Sequence, residues 1–497
     1  VLLATLSLAA AAQARGQPAA GDRPALPIPP LRDARAERGL RLAVQSGESR
    51  LIDGVASPTL GYDGAYLGPT LRVRRGDDVA VEITNRLRED TTVHWHGLLV
   101  PGDLDGGPHQ TIAPGAAWRP RLPIQQPAAT LLYHSHVHDR TAEQVYFGLA
   151  GVLIITDDIE PQLGLPSEYG VDDLPLVLQD RAFDRAGRLA YMQSMPVLMH
   201  GMRGPVMLVN GAAQPVAAVP PKLVRLRLVN GANARLFRLS FSDQRRFWWI
   251  ASDSGLLAAP VERSAIDLGP GERAELLVDF AQGGAVDLLT APDPNAPMMG
   301  RMMGGGMARA ATVMRFEPAT GSGGRSARVP PRLLVADQAP DAARATRRRR
   351  LVLTMGMGGM GMGGGMGGRG GMGGMGGMGG MGAGPGAGHG VHGIDGRPFD
   401  MNRIDHEVRL GDTEIWEVAG EMMAHPFHVH GVRFKVLRRG GRAPGPEDQG
   451  WKDTVMVDDP VELLVQFTQP TRGAPFMYHC HILEHEDNGM MGQFTVT

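Results

Sequence analysis

Three stretches of this chain, Leu71 to Asn85 (LRVRRGDDVAVEITN), Leu223 to Asn233 (LVRLRLVNGAN) and Val408 to Ala419 (VRLGDTEIWEVA), alternate apolar and polar residues around a turn. Alternation with a period of two marks strands that bury one face and solvate the other. Its recurrence at domain-sized intervals predicts three β-sandwiches of one kind. A chain of 497 residues is also too long for one core, which stops growing at about 250 to 300 residues. Gly and Pro are plentiful, at 69 and 38, while aromatics stand at 5%, which suits short strands and tight turns better than a helical bundle. The expectation is an all-β chain with domains at residues 37–160, 170–318 and 351–497, and a linker at 319–350.

Lys plus Arg number 50 against 52 acidic residues, so there is no basic field for nucleic acid and the expected partner is a small molecule. Residues 1–14 (VLLATLSLAAAAQA) form an apolar run closing on an A-x-A pattern, which predicts a signal peptide and a periplasmic chain. The run is shorter than the roughly 20 residues of a membrane span. A monomer without a span is expected after cleavage. The linker ends in Arg347-Arg348-Arg349-Arg350, read as a solvated run. Residues 355–382 are almost pure Gly and Met, and so much Gly, at about 1 kcal/mol each relative to Ala, opposes a helix and predicts a loop. Met298, Met299, Met302, Met303 and Met307 repeat the composition. Thioethers are soft donors that select Cu(I) over hard cations.

The single cysteine, Cys480, can form no internal disulfide, and its neighbours give it another use. Most of the 16 histidines fall in four clusters: His94-Trp95-His96, His134-Ser135-His136, His425-Pro426-Phe427-His428-Val429-His430, and His479-Cys480-His481 followed by His485 and Met490. In a strand, His479 and His481 project away from Cys480. One segment can then ligate one copper through sulfur and two others through imidazole, with a path of a few bonds between them. Cys480, His485 and His425 with Met490 as a weak axial donor form a His2Cys blue-copper set, on the spacing C-x4-H-x4-M. His94, His96, His134, His136, His428, His430, His479 and His481 are neutral donors sufficient for three further coppers. His109, His138, His200, His389, His392 and His406 are read as surface or structural residues.

On these motifs the chain resembles the three-domain multicopper oxidases, from about residue 50 to the end. The resemblance implies cupredoxin-like Greek-key β-sandwich domains and four copper ions: type 1 at His425, Cys480, His485 and Met490, type 2 at His94 and His428, and a type 3 pair at His96, His134, His136, His430, His479 and His481. It implies proton-relay roles for Asp105 and Glu486, since reduction of dioxygen to water consumes protons. Among such enzymes the chain looks most like periplasmic cuprous oxidases, with Glu421, Met423 and Met355 as substrate-copper ligands, although residues 356–382 contain no acid. The expectation is therefore a copper-dependent oxidoreductase passing electrons from Cu(I) to dioxygen, in copper tolerance. Two alternatives stay open: a laccase acting on phenols or aromatic amines, and a periplasmic copper-binding or buffering protein.

Overall fold

The computed structural model describes residues 23–52, 54–281, 284–296, 310–319, 328–333, 339–356 and 392–497. The expected signal peptide, most of the Gly/Met segment, the Met298 to Met307 cluster and His389 lie outside the described residues.

The described strands form six sheets, two to each domain. In the first domain one sheet runs Leu31–Asp33, Thr70–Arg74, Ala150–Thr156, Ala129–His134, His94–His96, and its mate is built on Leu40–Ser49 and Asp78–Asn85. The third domain repeats the plan. One sheet carries Arg347–Met355, Thr413–Gly420 and Val461–Gln466, and the other carries Met491–Val496, Phe476–Cys480, His425–Val429 and Thr454–Val457. Each domain encloses its own apolar core, on Leu42, Ile83 and Leu131 in the first, Leu226, Phe237 and Leu276 in the second, and Trp416, Phe434 and Leu463 in the third. The chain is all-β and cupredoxin-like, as the alternation and the resemblance predicted.

The repeated motif does a specific job. In Leu71 to Asn85 the two strands belong to opposite sheets of one sandwich, and Val408 to Ala419 likewise crosses from His406–Val408 to Thr413–Gly420. The turn carries the chain across the core. The middle copy departs from expectation, because Leu223–Asn230 is buried on both faces. Its polar residues, Arg225 and Arg227, meet Glu275, Asp173 and Glu160, and Thr130 of the first domain donates to Glu275 at 2.6 Å. A neighbouring domain replaces the solvent. The Arg347 to Arg350 run keeps three of its four side chains exposed, as expected, but it opens a strand instead of closing a linker. The strand pairs in parallel with Thr413–Gly420, where Arg349 reaches Glu414 at 2.6 Å and Arg350 faces Glu417. Opposite charges on adjacent strands make a run of arginines compatible with a sheet.

Candidate metal centre

The period of two sorts the third-domain donors into two sets. His425–Val429 pairs antiparallel with Phe476–Cys480, placing Phe427 opposite Cys480 and His428 opposite His479. His425, two residues from Phe427, therefore shares the face of Cys480, and His428 shares the face of His479. Cys480 Sγ lies 3.5 Å from His425 Nδ1 and 3.7 Å from Nδ1 of His485, which the short helix Leu483–Asp487 brings round. The other nitrogen of each ring meets a backbone carbonyl, Glu421 O at 3.0 Å for His425 and Met199 O at 3.3 Å for His485. A carbonyl only accepts, so the proton sits on Nε2 and the Nδ1 lone pair faces the sulfur. Burial holds the Cys480 thiol up and His425 down, to about 4. Met490 is buried in the same core and its carbonyl accepts from the Cys480 N–H at 3.0 Å.

The second set assembles across the first and third domains. His94 and His134 are opposite one another on neighbouring strands. His94 Nδ1 donates to Asp105 O at 3.0 Å, His134 Nδ1 to Ser135 O at 2.7 Å, His428 Nδ1 to Asp453 O at 2.9 Å and His479 Nδ1 to Cys480 O at 3.0 Å. Their protons all point outward. Inward, His479 Nε2 stands 3.2 Å from His136 Nε2 and 3.1 Å from His430 Nε2, and His134 Nε2 stands 3.4 Å from His96 Nδ1. His94 Nε2, His428 Nε2 and both nitrogens of His481 are buried without a partner.

These contacts test whether a cation fits. Burial, followed by the neighbouring imidazoles, pushes His136, His430 and His481 well below the ordinary range, so they stand neutral. His94 Nε2, His428 Nε2 and both nitrogens of His481 then stand with no hydrogen-bond partner in a site closed to water. Such an arrangement is repulsive or unsatisfied alone, and a cation between the rings relieves it. His136, His430 and His479 form one metal-sized group, His94, His428 and His430 another, and His425, Cys480 and His485 a third. Neutral imidazoles with one thiolate are a borderline-soft set that suits copper.

Asp105 and Glu486, expected as relay acids, both lie against the outer nitrogens. Asp105 Oδ2 is 2.7 Å from His430 Nδ1, and Glu486 is 3.4 Å from His136 Nδ1 and 3.1 Å from His479 Nδ1. They orient the ligands. Glu421 accepts the Met355 N–H on its carboxylate at 3.0 Å and the His425 proton on its carbonyl, while Met423 packs on the third-domain core. That segment braces His425. Of the other histidines, His109 pairs with Gln493, His138 with Asp139, and His406 stacks on Tyr478. His392 lies with its ring 4.7 Å from that of His485 but its Nε2 faces the Leu198 carbonyl. His200 is half-buried.

Sequence reading missed Asp453, which lies 3.1 Å from His96 Nε2, and Arg273, which grips it through paired contacts of 2.7 and 2.5 Å. Neither sits in a histidine motif, and no spacing signals them.

The multicopper oxidase family model matches residues 43–160 and again 381–497, the two parts of the chain that carry the donors. Over nearly the whole chain it is 38% identical to cell division protein FtsP of Salmonella typhimurium strain LT2, covering 96% of this chain and 94% of that one. The chain belongs to the multicopper oxidase family. FtsP of Escherichia coli strain K12 is 37% identical over the same shares. Among solved structures, a laccase-like multicopper oxidase, CueO, from Ochrobactrum sp., described with oxidase activity towards lignin model compounds, is 39% identical with a TM-score of 0.81, covering 95% of this chain and all of that one. The multicopper oxidase McoA of Aquifex aeolicus is 31% identical with a TM-score of 0.80, over 96% of this chain and 100% of that one. Membership of this family implies copper binding, and the histidine and cysteine groups described above are its candidate sites.

The curated relatives correct the expectation of function. Proteins 37–39% identical over nearly the full chain are named for cell division and not for oxidation. The reading of a copper-dependent oxidase that passes electrons from Cu(I) to dioxygen in copper tolerance is overturned, and the phenol-oxidising alternative goes with it. The motifs from which it was drawn encode how a metal is held, and holding does not specify use.

Proposed function

We propose that the protein is a copper-holding protein of the cell envelope that serves cell division, with bound copper fastening its first and third domains together. The carrying observation is that imidazole nitrogens of those two domains converge, His136 Nε2 of the first standing 3.2 Å from His479 Nε2 of the third. Near full-length identity to cell division proteins supports the biological half, and the apolar leader with its A-x-A pattern supports export.

In this reading the chain holds four ions, with His425, Cys480, His485 and Met490 as type 1 donors, His94 and His428 as type 2 donors, and His96, His134, His136, His430, His479 and His481 as the type 3 set. Copper supplies the positive charge that the converging lone pairs and the thiolate lack. Asp105 and Glu486 keep the imidazoles pointed inward, and burial keeps competing water out. Among the described residues His94, His96 and His134 form a metal-sized group within the first domain, whereas His136 forms one only with His430 and His479 of the third.

Because the unfolded chain has no preformed site, copper stabilises the folded state by mass action, about 2.7 kcal/mol at a hundredfold excess over Kd. The copper-loaded chain should accordingly melt several degrees above the chelator-treated one, and His136→Ala with His479→Ala should abolish most of that difference. Equal melting temperatures would count against copper as the fastener. The biological half is tested by deleting the gene and measuring cell length under envelope stress. Filamentation restored by the wild-type chain and not by the double variant supports the reading. Normal division without the gene, or sustained dioxygen uptake by the loaded chain with a reductant, overturns it.

A further inference from the structure

We infer that Arg273, from the domain that donates no metal ligand, is a positioning residue for the copper cluster, and that it acts through Asp453 to fix which nitrogen of His96 faces the metal. The inference rests on the reading of the histidine cluster as a copper site.

Arg273 opens the strand Arg273–Asp279 of the middle domain and is fully buried. Its guanidinium is completely engaged. Nη1 donates to Asp453 Oδ1 at 2.7 Å and to Gly271 O at 2.9 Å, Nη2 to Asp453 Oδ2 at 2.5 Å and to Asp253 O at 2.9 Å, and Nε to Thr130 O of the first domain at 3.3 Å. A planar fork on a carboxylate fixes both the position and the plane of the acid. Asp453 belongs to the third domain and stands just before the strand Thr454–Val457. Its Oδ1, held at 2.9 Å by the Thr454 hydroxyl, lies 3.1 Å from Nε2 of His96 in the first domain, and its own carbonyl takes the His428 Nδ1 proton. Three domains meet on one carboxylate.

The consequence for His96 is a choice of tautomer. A buried neutral imidazole carries its proton on either nitrogen, and the alternatives are close in energy until a partner separates them. The Asp453 carboxylate demands the proton on Nε2, which leaves the Nδ1 lone pair facing His134 Nε2 at 3.4 Å. His94, His134, His428 and His479 have their outer nitrogens on backbone carbonyls, whereas His96 depends on the side chains of Asp453 and Thr454. That makes it, like His430 on Asp105, a ligand whose orientation a substitution outside the histidine motifs can upset. The packing leaves no slack: at Gly97, with φ +86°, an added Cβ would lie 2.5 Å from Arg273 Nη2 and 2.6 Å from Asp453 Oδ2.

Asp453→Asn tests the assignment in the full chain reconstituted with copper. Asparagine cannot accept from both His96 and Arg273 through the same two atoms, so one of them faces a donor. The expected result is cluster copper held about ten- to a hundredfold more weakly, read by titration with Cu(II) and by the electron spin resonance of the non-blue copper, while the blue absorbance per chain stays at the wild-type level. Arg273→Met should give the same selective loss. Arg235→Met is the control, since it breaks another fully buried pair of the middle domain, with Asp180 at 2.8 Å, that touches no histidine ligand. The positioning role is overturned if Asp453→Asn binds cluster copper as tightly as the wild type. It is equally overturned if Arg235→Met, at a matched loss of melting temperature, sheds as much cluster copper. A wild-type chain that fills the blue site alone overturns the cluster reading itself, and the inference with it, a result separable from either variant's.

Discussion

Replacing Cys480 by serine should abolish the blue absorbance of the copper-loaded chain while leaving copper at the histidine cluster. Cys480 Sγ lies within reach of His425 Nδ1 and His485 Nδ1, and the three form one metal-sized group. A serine hydroxyl in the same buried pocket keeps its proton, so the set loses its thiolate and with it the negative charge. The cluster ligands lie on the opposite face of the strand, with His479 directed toward His136 and His430, and do not depend on the sulfur. The variant should fold. The Ile482 N–H that approaches Cys480 Sγ at 3.4 Å offers the hydroxyl a partner, so the cost is that of a buried polar group with some compensation, about 1–3 kcal/mol. Visible absorbance and copper per chain are the measurements. A serine variant that remained blue would remove Cys480 from the metal site.

The second large effect is expected on acidifying the metal-free chain, which should lose stability steeply as pH falls from about 6.5 toward 4. Burial, with neighbouring imidazoles adding to it, holds His134, His136, His430 and His481 well below the ordinary histidine range, and burial lowers His425 and His428 to about 4. In the unfolded chain these groups titrate near 6.5. Between the two values the unfolded state binds more protons than the folded one, so the stabilisation is complete above about 6.5 and drains away as pH drops through the window. Glu484 and Asp487, raised by burial, take up protons in the folded chain above the ordinary carboxylate range and act against this slope. Bound copper competes with protons for the same nitrogens, and should shift the loss to lower pH. Melting temperature against pH, with and without copper, gives the comparison. A metal-free chain equally stable at pH 6.5 and 4.5 would show that the rings are not held neutral.

Both effects trace to residues visible as motifs, and the reason is local. Strand alternation places His479 and Cys480 on opposite faces without knowledge of the rest of the fold, and the same rule separates His425 from His428. The all-β class was legible because the first and third repeats bury one face of a strand, a pattern imposed by the solvent. The Arg347 to Arg350 strand was not, since four like charges join a sheet only when Glu414 and Glu417 stand on the neighbouring strand, which a linear reading does not place there.

What the cluster is for was the least legible feature. Ligand motifs report the chemistry of holding copper, whereas the proteins that the chain resembles are named both for oxidation and for cell division.

By itself, then, the sequence determined the candidate donors, their division into two faces and the sandwich architecture, because each depends on residues within a few positions of one another. Tertiary structure alone decided which nitrogen of each ring points inward, and that the ligand-free middle domain braces the site through Arg273 and Asp453. Those depend on buried contacts between residues 180 positions apart in the chain. Such pairings have no periodicity to betray them, since they are selected by the shape of the space left where three domains close.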